Sequence, residues 1–376
     1  MTDPDLLRRQ RHATRLGFFI AGLVMAAWAP LVPFAKARLA LTEGMLGLLL
    51  LGLGIGSILA MPLAGAAVAR LGCRRVLVLG ALAACLALPL LATATAVWVL
   101  LLALVVFGAG IGAVDVAVNI QAIGVERASA RPLMSGFHGL FSLGGIAGAA
   151  GMAALLAAGA APLGASLAVV ALALAALALA APHLLPRAER SGGPAFALPR
   201  GIVLTIGLLC CISFLAEGAV LDWGAVFLTA VRGMDPATAG LGYAAFSVTM
   251  TIGRLGGDRI VARLGGPAVV LAGGMLAAAG FALAVLVPAW EATLAGYALV
   301  GAGCSNIVPV LFTAVGRQRA MPESLAVPAV TTLGYAGVLA GPAAIGLIAQ
   351  FAGLSAAFLL VAALLLAVAA SARILR

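Results

Sequence analysis

The sequence predicts an all-α membrane protein with twelve transmembrane helices in two pseudo-symmetric six-helix bundles. Three observations predict this class: the composition, a series of apolar segments of membrane-spanning length, and an internal repeat. The 376-residue chain is 64% hydrophobic and only 9% charged, with a mean hydropathy of +1.21. Soluble domains carry roughly 25% charged residues, so this chain lacks the polar groups to cover a globular surface of its size.

The hydrophobic residues fall in runs of roughly 20, the length that an α-helix needs to cross a bilayer. A membrane β-barrel instead requires short segments of alternating polarity, and the sequence shows no such alternation. The stretch from Arg8 to Ala37 resembles a signal peptide, but its apolar run exceeds the usual 7–15 or so residues, so we assign it as the first span. The predicted spans lie near residues 16–36, 44–69, 76–95, 97–125, 134–158, 164–185, 201–229, 238–262, 267–288, 292–316, 325–350 and 355–372.

The one long polar stretch, Pro186–Arg200, lies at mid-chain. It predicts an N-terminal six-helix bundle over residues 1–185, a cytoplasmic linker over 186–200 and a C-terminal six-helix bundle over 201–376.

The basic residues predict the orientation. If both termini are cytoplasmic, 19 of the 22 Lys and Arg fall on the cytoplasmic side, and only Lys36, Arg38 and Arg232 fall outside. Cytoplasmic loops of membrane proteins are enriched in Lys and Arg. We therefore expect a multi-pass protein of the bacterial cytoplasmic (inner) membrane, and the net charge of +10 needs no nucleic-acid partner.

An internal repeat relates the two halves. The pentapeptide VARLG occurs at Val68–Gly72 and again at Val261–Gly265, 193 residues later, and half of the chain is 188 residues. The same offset places Gly108–Ala109–Gly110 on Gly301–Ala302–Gly303. Parallel repeats of this kind are typical of six-plus-six transporters with a binding site near the midplane.

The stretch GAAVARLGCRR, Gly65–Arg75, resembles the loop signature of the major facilitator superfamily, which runs Gly, three residues, Asp-Arg-x-Gly-Arg-Arg. The chain departs from it at Ala69 and Cys73, while the second half supplies an acid at Asp258. The stretches DVAVNIQAIGVERASARPLMSGFHGLFSLGG and AEGAVLDWGAVFL resemble a bacterial branch near the rhizopine-transport and fucose–proton symporter proteins. The resemblance covers essentially the whole chain and implies the major facilitator fold.

The signature loops predict an inner-face gate, because arginines cap helix C-termini or pair with acids when that face is closed. Asp258 is expected to pair with Arg254, Arg259 or Arg263. The alternative is that these arginines only enforce topology. The predicted gating residues are Arg70, Arg74, Arg75, Arg254, Asp258, Arg259 and Arg263.

Ionisable side chains inside the predicted spans are candidates for proton coupling, because each costs about 2.5–3.5 kcal/mol at the centre of a membrane helix. The candidates are three deep acids, Asp115, Glu217 and Asp222, together with His138 near the inner end of the fifth span. Asp115 and Asn119 lie four residues apart, on one helical face. This spacing resembles the acid-x-x-x-Asn of fucose–proton symporters, although the acid that those proteins have in the first helix is missing here. The alternative for Asp115 is a structural hydrogen-bond hub with His138 or Gln121.

Glu217 and Asp222 are five residues apart, about 140° around a helix, so they do not share a face. Asp222 has an alternative role as a partner of Arg232 near the outer face. Glu217 has no neighbour in the sequence that would neutralise it, which makes it the second choice as proton carrier after Asp115.

Polar and aromatic side chains in the spans are candidates for solute binding, since aromatic rings stack on ring-shaped solutes and amides donate hydrogen bonds. For each aromatic residue the alternative is helix packing, and for Asn306 it is an interhelical hydrogen bond. The candidates are Asn119, Gln121, Trp28, Trp223, Phe227, Tyr243, Asn306 and Tyr335.

The function predicted from these residues is proton-coupled secondary active transport of a small polar solute by alternating access, with a sugar-like solute as one candidate. The alternative is a proton-driven exporter of amphipathic or drug-like compounds, and a non-transporting membrane sensor is third. The five cysteines have no metal-ligand spacing, and no nucleophile–base pair is evident, so no metal, cofactor or enzymatic activity is expected. The expected partners are the lipid bilayer, the solute and protons, and the chain is expected to act as a monomer.

Overall fold

In the computed structural model, residues 4–186, 198–235 and 238–375 are described; this part of the chain is helical and contains no β-strand. The predicted linker, residues 186–200, lies mostly outside the described residues. The helices of the first half are α1 (Pro4–Ala27), α2 (Val32–Arg38), α3 (Glu43–Leu71), α4 (Cys73–Thr93), α5 (Val97–Ser129), α6 (Met134–Ala157) and α7 (Pro162–Ala180). Those of the second half are α8 (Ile202–Ala230), α9 (Leu241–Leu264), α10 (Gly266–Leu286), α11 (Trp290–Cys304), α12 (Ile307–Arg317) and α13 (Glu323–Ala370).

Ten helical segments among the described residues are long and apolar enough to cross a membrane. Two features of the chain account for the difference from twelve. The 24-residue helix α9 carries four charged residues and is therefore less apolar than the others. The 48-residue helix α13 is two helices joined at Gly353, whose φ of 82° and ψ of 159° are not helical. Counted in this way, the described residues contain the twelve predicted helices.

The chain forms two compact units. The first contains Met1–Ala130, Leu140–Leu198 and Met321–Ala329. The second contains Arg131–Gly139, Pro199–Ala320 and Val330–Arg376. Packing therefore places the first turn of α6 with the second unit and the first turns of α13 with the first unit, whereas the predicted bundle boundaries follow chain order.

The repeated pentapeptide has the same structure in both units. In each copy VARLG is the last turn of a helix and ends at a glycine with positive φ, 85° at Gly72 and 78° at Gly265. The glycine N–H donates to the carbonyl of the first valine, Val68 or Val261. A glycine adopts a positive φ without steric cost, so each copy sets a sharp helix end.

Close glycine contacts also repeat at the 193-residue offset. In the first unit Gly80 of α4 and Gly110 of α5 lie so close that a Cβ on either would meet the carbonyl of the other. In the second unit Gly273 of α10 and Gly303 of α11 make the same reciprocal contact. Small residues allow membrane helices to approach at the backbone level. The two units are thus built from equivalent helix pairs, as the sequence repeat predicts.

Candidate functional site

Arg254 lies near the midpoint of α9 and is buried in the second unit. Arg254 was predicted to be one of the cytoplasmic basic residues and part of the gate. Its position within α9 removes it from the loop residues of the cytoplasmic side, while its gating role stays a prediction. The predicted orientation then rests on the other eighteen basic residues of that side.

Glu217 lies near the midpoint of α8 and faces Arg254. Nη2 of Arg254 is 3.4 Å from Oε1 of Glu217 and 3.5 Å from Oε2. The inference that Glu217 lacks a neutralising neighbour was therefore wrong. The two residues are 37 positions apart on different helices, so no spacing rule within one helix could have paired them.

The tenth predicted span is broken where it passes this pair. Helix α11 ends at Cys304 and α12 begins at Ile307. Pro309 has no N–H, so the carbonyl of Ser305 cannot receive the usual hydrogen bond from the residue four positions later. Nε of Arg254 donates to that carbonyl at 3.3 Å. The proline thus frees an acceptor, and the acceptor orients the arginine.

Asn306, which lies in the break between α11 and α12, is hydrogen-bonded to α9. Its Nδ2 donates to the carbonyl of Gly253 at 3.0 Å and to Oγ of Ser305 at 2.9 Å. Its Oδ1 is buried and has no hydrogen-bond partner among the described residues. The observed contact with Gly253 is the interhelical hydrogen bond that the sequence analysis gave as the alternative to solute binding.

His138 joins this cluster. It belongs to the segment of α6 that packs in the second unit, and its ring centroid lies 5.8 Å from that of Phe312. It is within electrostatic range of Arg254. His138 thus lies in the same unit as Glu217 and Arg254, and its predicted grouping with Asp115 stays a prediction.

Asp115 and Asn119 form the second polar cluster, in α5 of the first unit. Nδ2 of Asn119 donates to the backbone oxygen of Asp115 at 2.9 Å and to its Oδ1 at 3.2 Å. The predicted common face is therefore confirmed. Asn119 is fully buried and Asp115 half-buried, about two residues from the midpoint of the helix. Within the described ranges, no Lys, Arg or His forms an ion pair with Asp115.

Gln121 makes two hydrogen bonds within the first unit, and its predicted solute contact stays a prediction. Its Nε2 donates to Oγ1 of Thr14 in α1 at 3.3 Å. Its Oε1 accepts the N–H of Leu185 at 2.9 Å. Both ends of this buried amide are engaged, so Gln121 fastens α5 to neighbouring segments, and the hub with Asp115 is not formed.

The two clusters are not repeated between the halves. At the 193-residue offset the four key polar residues correspond to apolar ones: Asp115 to Val308, Asn119 to Phe312, Glu217 to Val24 and Arg254 to Met61. The glycine contacts do repeat at that offset, so they belong to the fold. The polar clusters differ between halves that share one fold, so the fold does not require them.

The predicted aromatic residues are divided between packing and exposure. Phe227 is fully buried and stacks on Phe358 with ring centroids 4.9 Å apart, as expected for the packing alternative. Tyr243 is exposed and stacks on Phe246, with ring centroids 5.8 Å apart. Tyr335 is half-buried, in an edge contact with Phe214.

Both predicted tryptophans contain a buried donor. The Nε1 atoms of Trp28 and Trp223 have no hydrogen-bond partner among the described residues. Trp28 follows α1 directly, and Trp223 lies in α8 six residues after Glu217. A buried indole N–H without an acceptor costs free energy, so these two donors remain candidates for solute contact.

Asp222 is exposed on α8. The alternative that it pairs with Arg232 is not observed. Arg232 instead donates to the carbonyls of Ala284 and Val285, both at 2.7 Å, and to Oγ1 of Thr293 at 3.3 Å.

The predicted gate residue Asp258 contacts the start of α6. Its Oδ1 accepts the backbone N–H of Gly136, in the first turn of that helix, at 2.9 Å. Arg254, one of its three expected partners, also contacts Glu217. An ion pair that the sequence analysis missed joins Arg127 to Glu323 in the first unit. The remaining predicted gating residues are exposed near helix ends: Arg70, Arg74, Arg75, Arg259 and Arg263.

Comparison with known proteins places the chain in a family. A family model described as Major Facilitator Superfamily matches residues 15–318. An uncharacterised MFS-type transporter of Yersinia pestis is 57% identical over 365 residues, 97% of this chain and 95% of the relative. Membrane protein MosC of Rhizobium meliloti is 34% identical over 358 residues, 93% of this chain and 86% of that protein.

Solved structures share the fold at low identity. The Escherichia coli fucose:proton symporter FucP has a TM-score of 0.81 and 17% identity, covering 97% of this chain and 98% of its own. A human organic anion transporter has a TM-score of 0.76 and 18% identity, covering 99% and 100%. With its twelve helices, its repeated halves and these relatives, the chain belongs to the Major Facilitator Superfamily.

Proposed function

We propose that this transporter couples the movement of a small polar solute to protons by alternating access, with Asp115 as the proton carrier. A sugar-like solute is one candidate. Two proteins of the same fold are described as proton symporters, one for fucose and one for xylose. That description supports the proposal, while the residues that carry it are those of this chain.

The observation that carries the proposal is the contact between Asp115 and Asn119 near the middle of α5. An ionised carboxylate is costly at that depth, whereas the protonated acid is tolerated. Asp115 has no cationic partner among the described residues, so protonation is its route to neutrality. Opening to water on one side and closing on the other then binds and releases the proton.

The strength of the hydrogen bond from Asn119 to Asp115 depends on the charge of Asp115. Nδ2 donates to the carboxylate oxygen, and such a bond is roughly twice as strong to an ionised acceptor as to a neutral one. Protonation of Asp115 therefore loosens the Asn119 amide. Glu217 differs from Asp115, because Arg254 already compensates its charge.

The test is Asp115→Asn in proteoliposomes. We expect the substitution to abolish accumulation driven by a proton gradient and to spare binding or exchange. Glu291→Gln, which removes an exposed acid at the start of α11, is the matched control and should accumulate normally. Intact accumulation in Asp115→Asn would make Asp115 structural and transfer the carrier role to Glu217.

The same proposal includes the setting of the protein. We place it in the bacterial inner membrane with both termini cytoplasmic, acting as a monomer on a solute and protons without a cofactor. The gating role of the loop residues also remains a proposal, and it now rests on Asp258 and its contact with Gly136.

A further inference from the structure

We propose that the start of α1 is a binding surface for anionic phospholipids, whose phosphate groups contact the basic side chains of one helical face. This basic face consists of Arg8, His12 and Arg15, with Arg9 at its edge. It is separate from the polar clusters in the middle of the spans. Lipid binding there is independent of the solute and of proton coupling.

The start of α1 concentrates positive charge directly before the first span. Four arginines fall within the eight residues from Arg8 to Arg15, and Asp5 is the one acidic residue between Pro4 and the predicted start of the span at residue 16. Clusters of four or more basic residues next to a membrane helix are typical of proteins that bind anionic lipids. The positive-inside bias, in contrast, depends on the number of basic residues near a span and not on the helical face that carries them.

The basic residues share one face of a continuous helix. Helix α1 runs from Pro4 to Ala27, so its polar start is a direct extension of the membrane-crossing part. Arg8, His12 and Arg15 are spaced at i, i+4 and i+7, which places them on one side of an α-helix. Arg8 and Arg15 are both within electrostatic range of His12. The three side chains therefore face the same surroundings.

The opposite side of this helix start packs into the first unit. Ala13 and Thr14 are buried, and Oγ1 of Thr14 accepts Nε2 of Gln121 in α5. Arg8 and His12, in contrast, are exposed. Contacts on one side thus fix the rotation of the helix and leave the basic face accessible.

The guanidinium groups of the basic face are available for a ligand. Arg8, Arg9 and Arg15 form no hydrogen bond or ion pair with another residue in the described part of the chain. Arg11 differs, since its Nε donates to the carbonyl of Leu7 in the same helix, and the basic face does not rely on it. Guanidinium groups match phosphate oxygens through paired N–H donors, so lipid phosphates are fitting partners.

The distance from the first span suits the headgroup layer. A bilayer is about 40–45 Å thick with its headgroups and about 30 Å without them, which leaves roughly 5–8 Å on each side. At about 1.5 Å per residue, Arg15 lies about 1.5 Å and His12 about 6 Å before the predicted start of the span. Arg8, about 12 Å before it, is still within one Debye length, about 8 Å, of that layer. All three side chains therefore experience the charge of the headgroups.

The shared fold does not require the basic face. At the 193-residue offset its three positions correspond to uncharged residues of the second half: Gly201, Thr205 and Leu208. Helix α8 begins at Ile202, whereas the start of α1 corresponds to residue 197. The basic start is therefore an addition to the repeated helix.

The experiment measures lipid binding to the purified full-length protein in a non-ionic detergent. Thermal stability is recorded during titration with a short-chain phosphatidylglycerol, which is anionic, and with phosphatidylcholine of the same chain length, which carries no net charge. We expect phosphatidylglycerol to raise the melting temperature at lower concentrations, because a ligand of the folded protein stabilises it by mass action. The difference should shrink at high salt, since salt screens exposed charges. Inorganic phosphate, which does not concentrate at the micelle surface, should have no comparable effect.

Variants assign the effect to the basic face. Arg8→Gln/Arg15→Gln should weaken the apparent affinity for phosphatidylglycerol by about 25-fold, because each arginine near an anionic surface contributes about a factor of five. Arg317→Gln/Arg319→Gln removes the same charge from two exposed arginines of the second unit and should change the affinity by less than about twofold. Arg8→Lys/Arg15→Lys keeps the charge and should retain most of the binding.

Nuclear magnetic resonance of ¹³C-labelled histidine locates the contact. The chain has three histidines, so the resonance of His12 is assigned by its loss in His12→Gln. In nanodiscs, replacing phosphatidylcholine by phosphatidylglycerol should shift the ring resonance of His12 and leave that of the buried His138 unchanged.

Four results would overturn the proposal: equal stabilisation by the two lipids, equal loss of affinity in the two double-glutamine variants, an effect of inorganic phosphate as strong as that of phosphatidylglycerol, or an unchanged His12 resonance. None of them affects the accumulation test with Asp115→Asn. Conversely, failure of the proposed proton coupling in that test would leave lipid binding by the basic face intact.

Discussion

Arg38 and Arg232 cap equivalent helices in the two repeats. Arg38 donates to the carbonyls of Leu91, Ala92 and Ala94 at the end of α4, at 2.7–2.9 Å. Arg232 donates to Ala284 and Val285 at the end of α10, which are 193 residues beyond Leu91 and Ala92. The last carbonyls of a helix have no internal partner and carry a partial negative charge, which a guanidinium satisfies.

Removing one of these caps should destabilise its unit. We expect Arg232→Ala to cost about 1–2 kcal/mol, because it removes charged hydrogen bonds to the end of α10 and the cation–π contact over Phe227, 5.0 Å from the ring. The measurement is the melting temperature in detergent. Arg259→Ala, at an exposed arginine, is the control and should change little. Equal melting temperatures for the two variants would contradict a capping role.

Glycines at close contacts between two helices should not tolerate replacement by a residue with a side chain. A Cβ on Gly108 would overlap the carbonyl of Leu53, so we expect Gly108→Ala to lower stability by about 2 kcal/mol or more. In α6, Gly151 has open space around its Cβ position, and Gly151→Ala should be neutral or stabilising by about 0.5–1 kcal/mol. Thermal unfolding of the two variants tests this pair, and a stable Gly108→Ala would show that α3 and α5 can separate at little cost.

Much of the fold was predictable, because hydropathy and the internal repeat are both properties of the sequence alone. The VARLG copies form equivalent helix ends, and the predicted gap between spans eleven and twelve falls at Gly353. The start of α1 at Pro4 was missed by twelve residues. An apolar window detects the membrane-crossing part of a helix and does not see its polar continuation.

The site was less predictable, since it depends on which helix faces pack together. Asp115 and Asn119 share one helix, so their spacing was sufficient to predict that their side chains meet. Glu217 and Arg254 are on different helices, and counting basic residues by loop assigned Arg254 to the cytoplasm. One signal was present and unused: a proline inside the tenth span, at Pro309, marks a broken helix, and broken helices accompany binding sites in transporters.

The orientation remains a prediction that a fusion can test. With Arg254 removed from the count, eighteen basic residues remain on the side assigned to the cytoplasm and three on the other, so the bias is nearly unchanged. A reporter that is active only in the periplasm, fused after Arg376, should be inactive, and one that is active only in the cytoplasm should be active. The reverse pattern would place the C-terminus outside.

Asp258 should bias the gate through α6. Its carboxylate accepts the N–H of Gly136 in the first helical turn, where a negative charge also interacts favourably with the helix dipole. We expect Asp258→Asn to weaken this contact by about 0.5–1 kcal/mol and to shift the population toward the inward-open state. Spin-label distances across the cytoplasmic face measure the shift, with Asp222→Asn as the control at an exposed acid. Unchanged distances would contradict a gating role for Asp258.

The break in the tenth span should be needed for function rather than for stability. Pro309→Ala supplies an N–H that can donate to the Ser305 carbonyl, now occupied by Nε of Arg254. Pro309 lies in the first turn of α12, where a proline costs little, so its removal should leave the melting temperature equal or slightly higher. Arg254, however, loses the acceptor that orients it, and a hydrogen bond to a charged group is worth about 1.5–3 kcal/mol.

We therefore expect Pro309→Ala to be at least as stable as the wild type and to take up solute about tenfold more slowly in proteoliposomes. Slower uptake at an unchanged or higher melting temperature would indicate altered site geometry, because loss of folding would lower both the uptake rate and the melting temperature. Pro89→Ala, at a proline inside α4 of the first unit, is the matched control and should leave uptake unchanged. If Pro309→Ala raises the melting temperature and uptake stays normal, the contact of Arg254 with Ser305 serves packing alone.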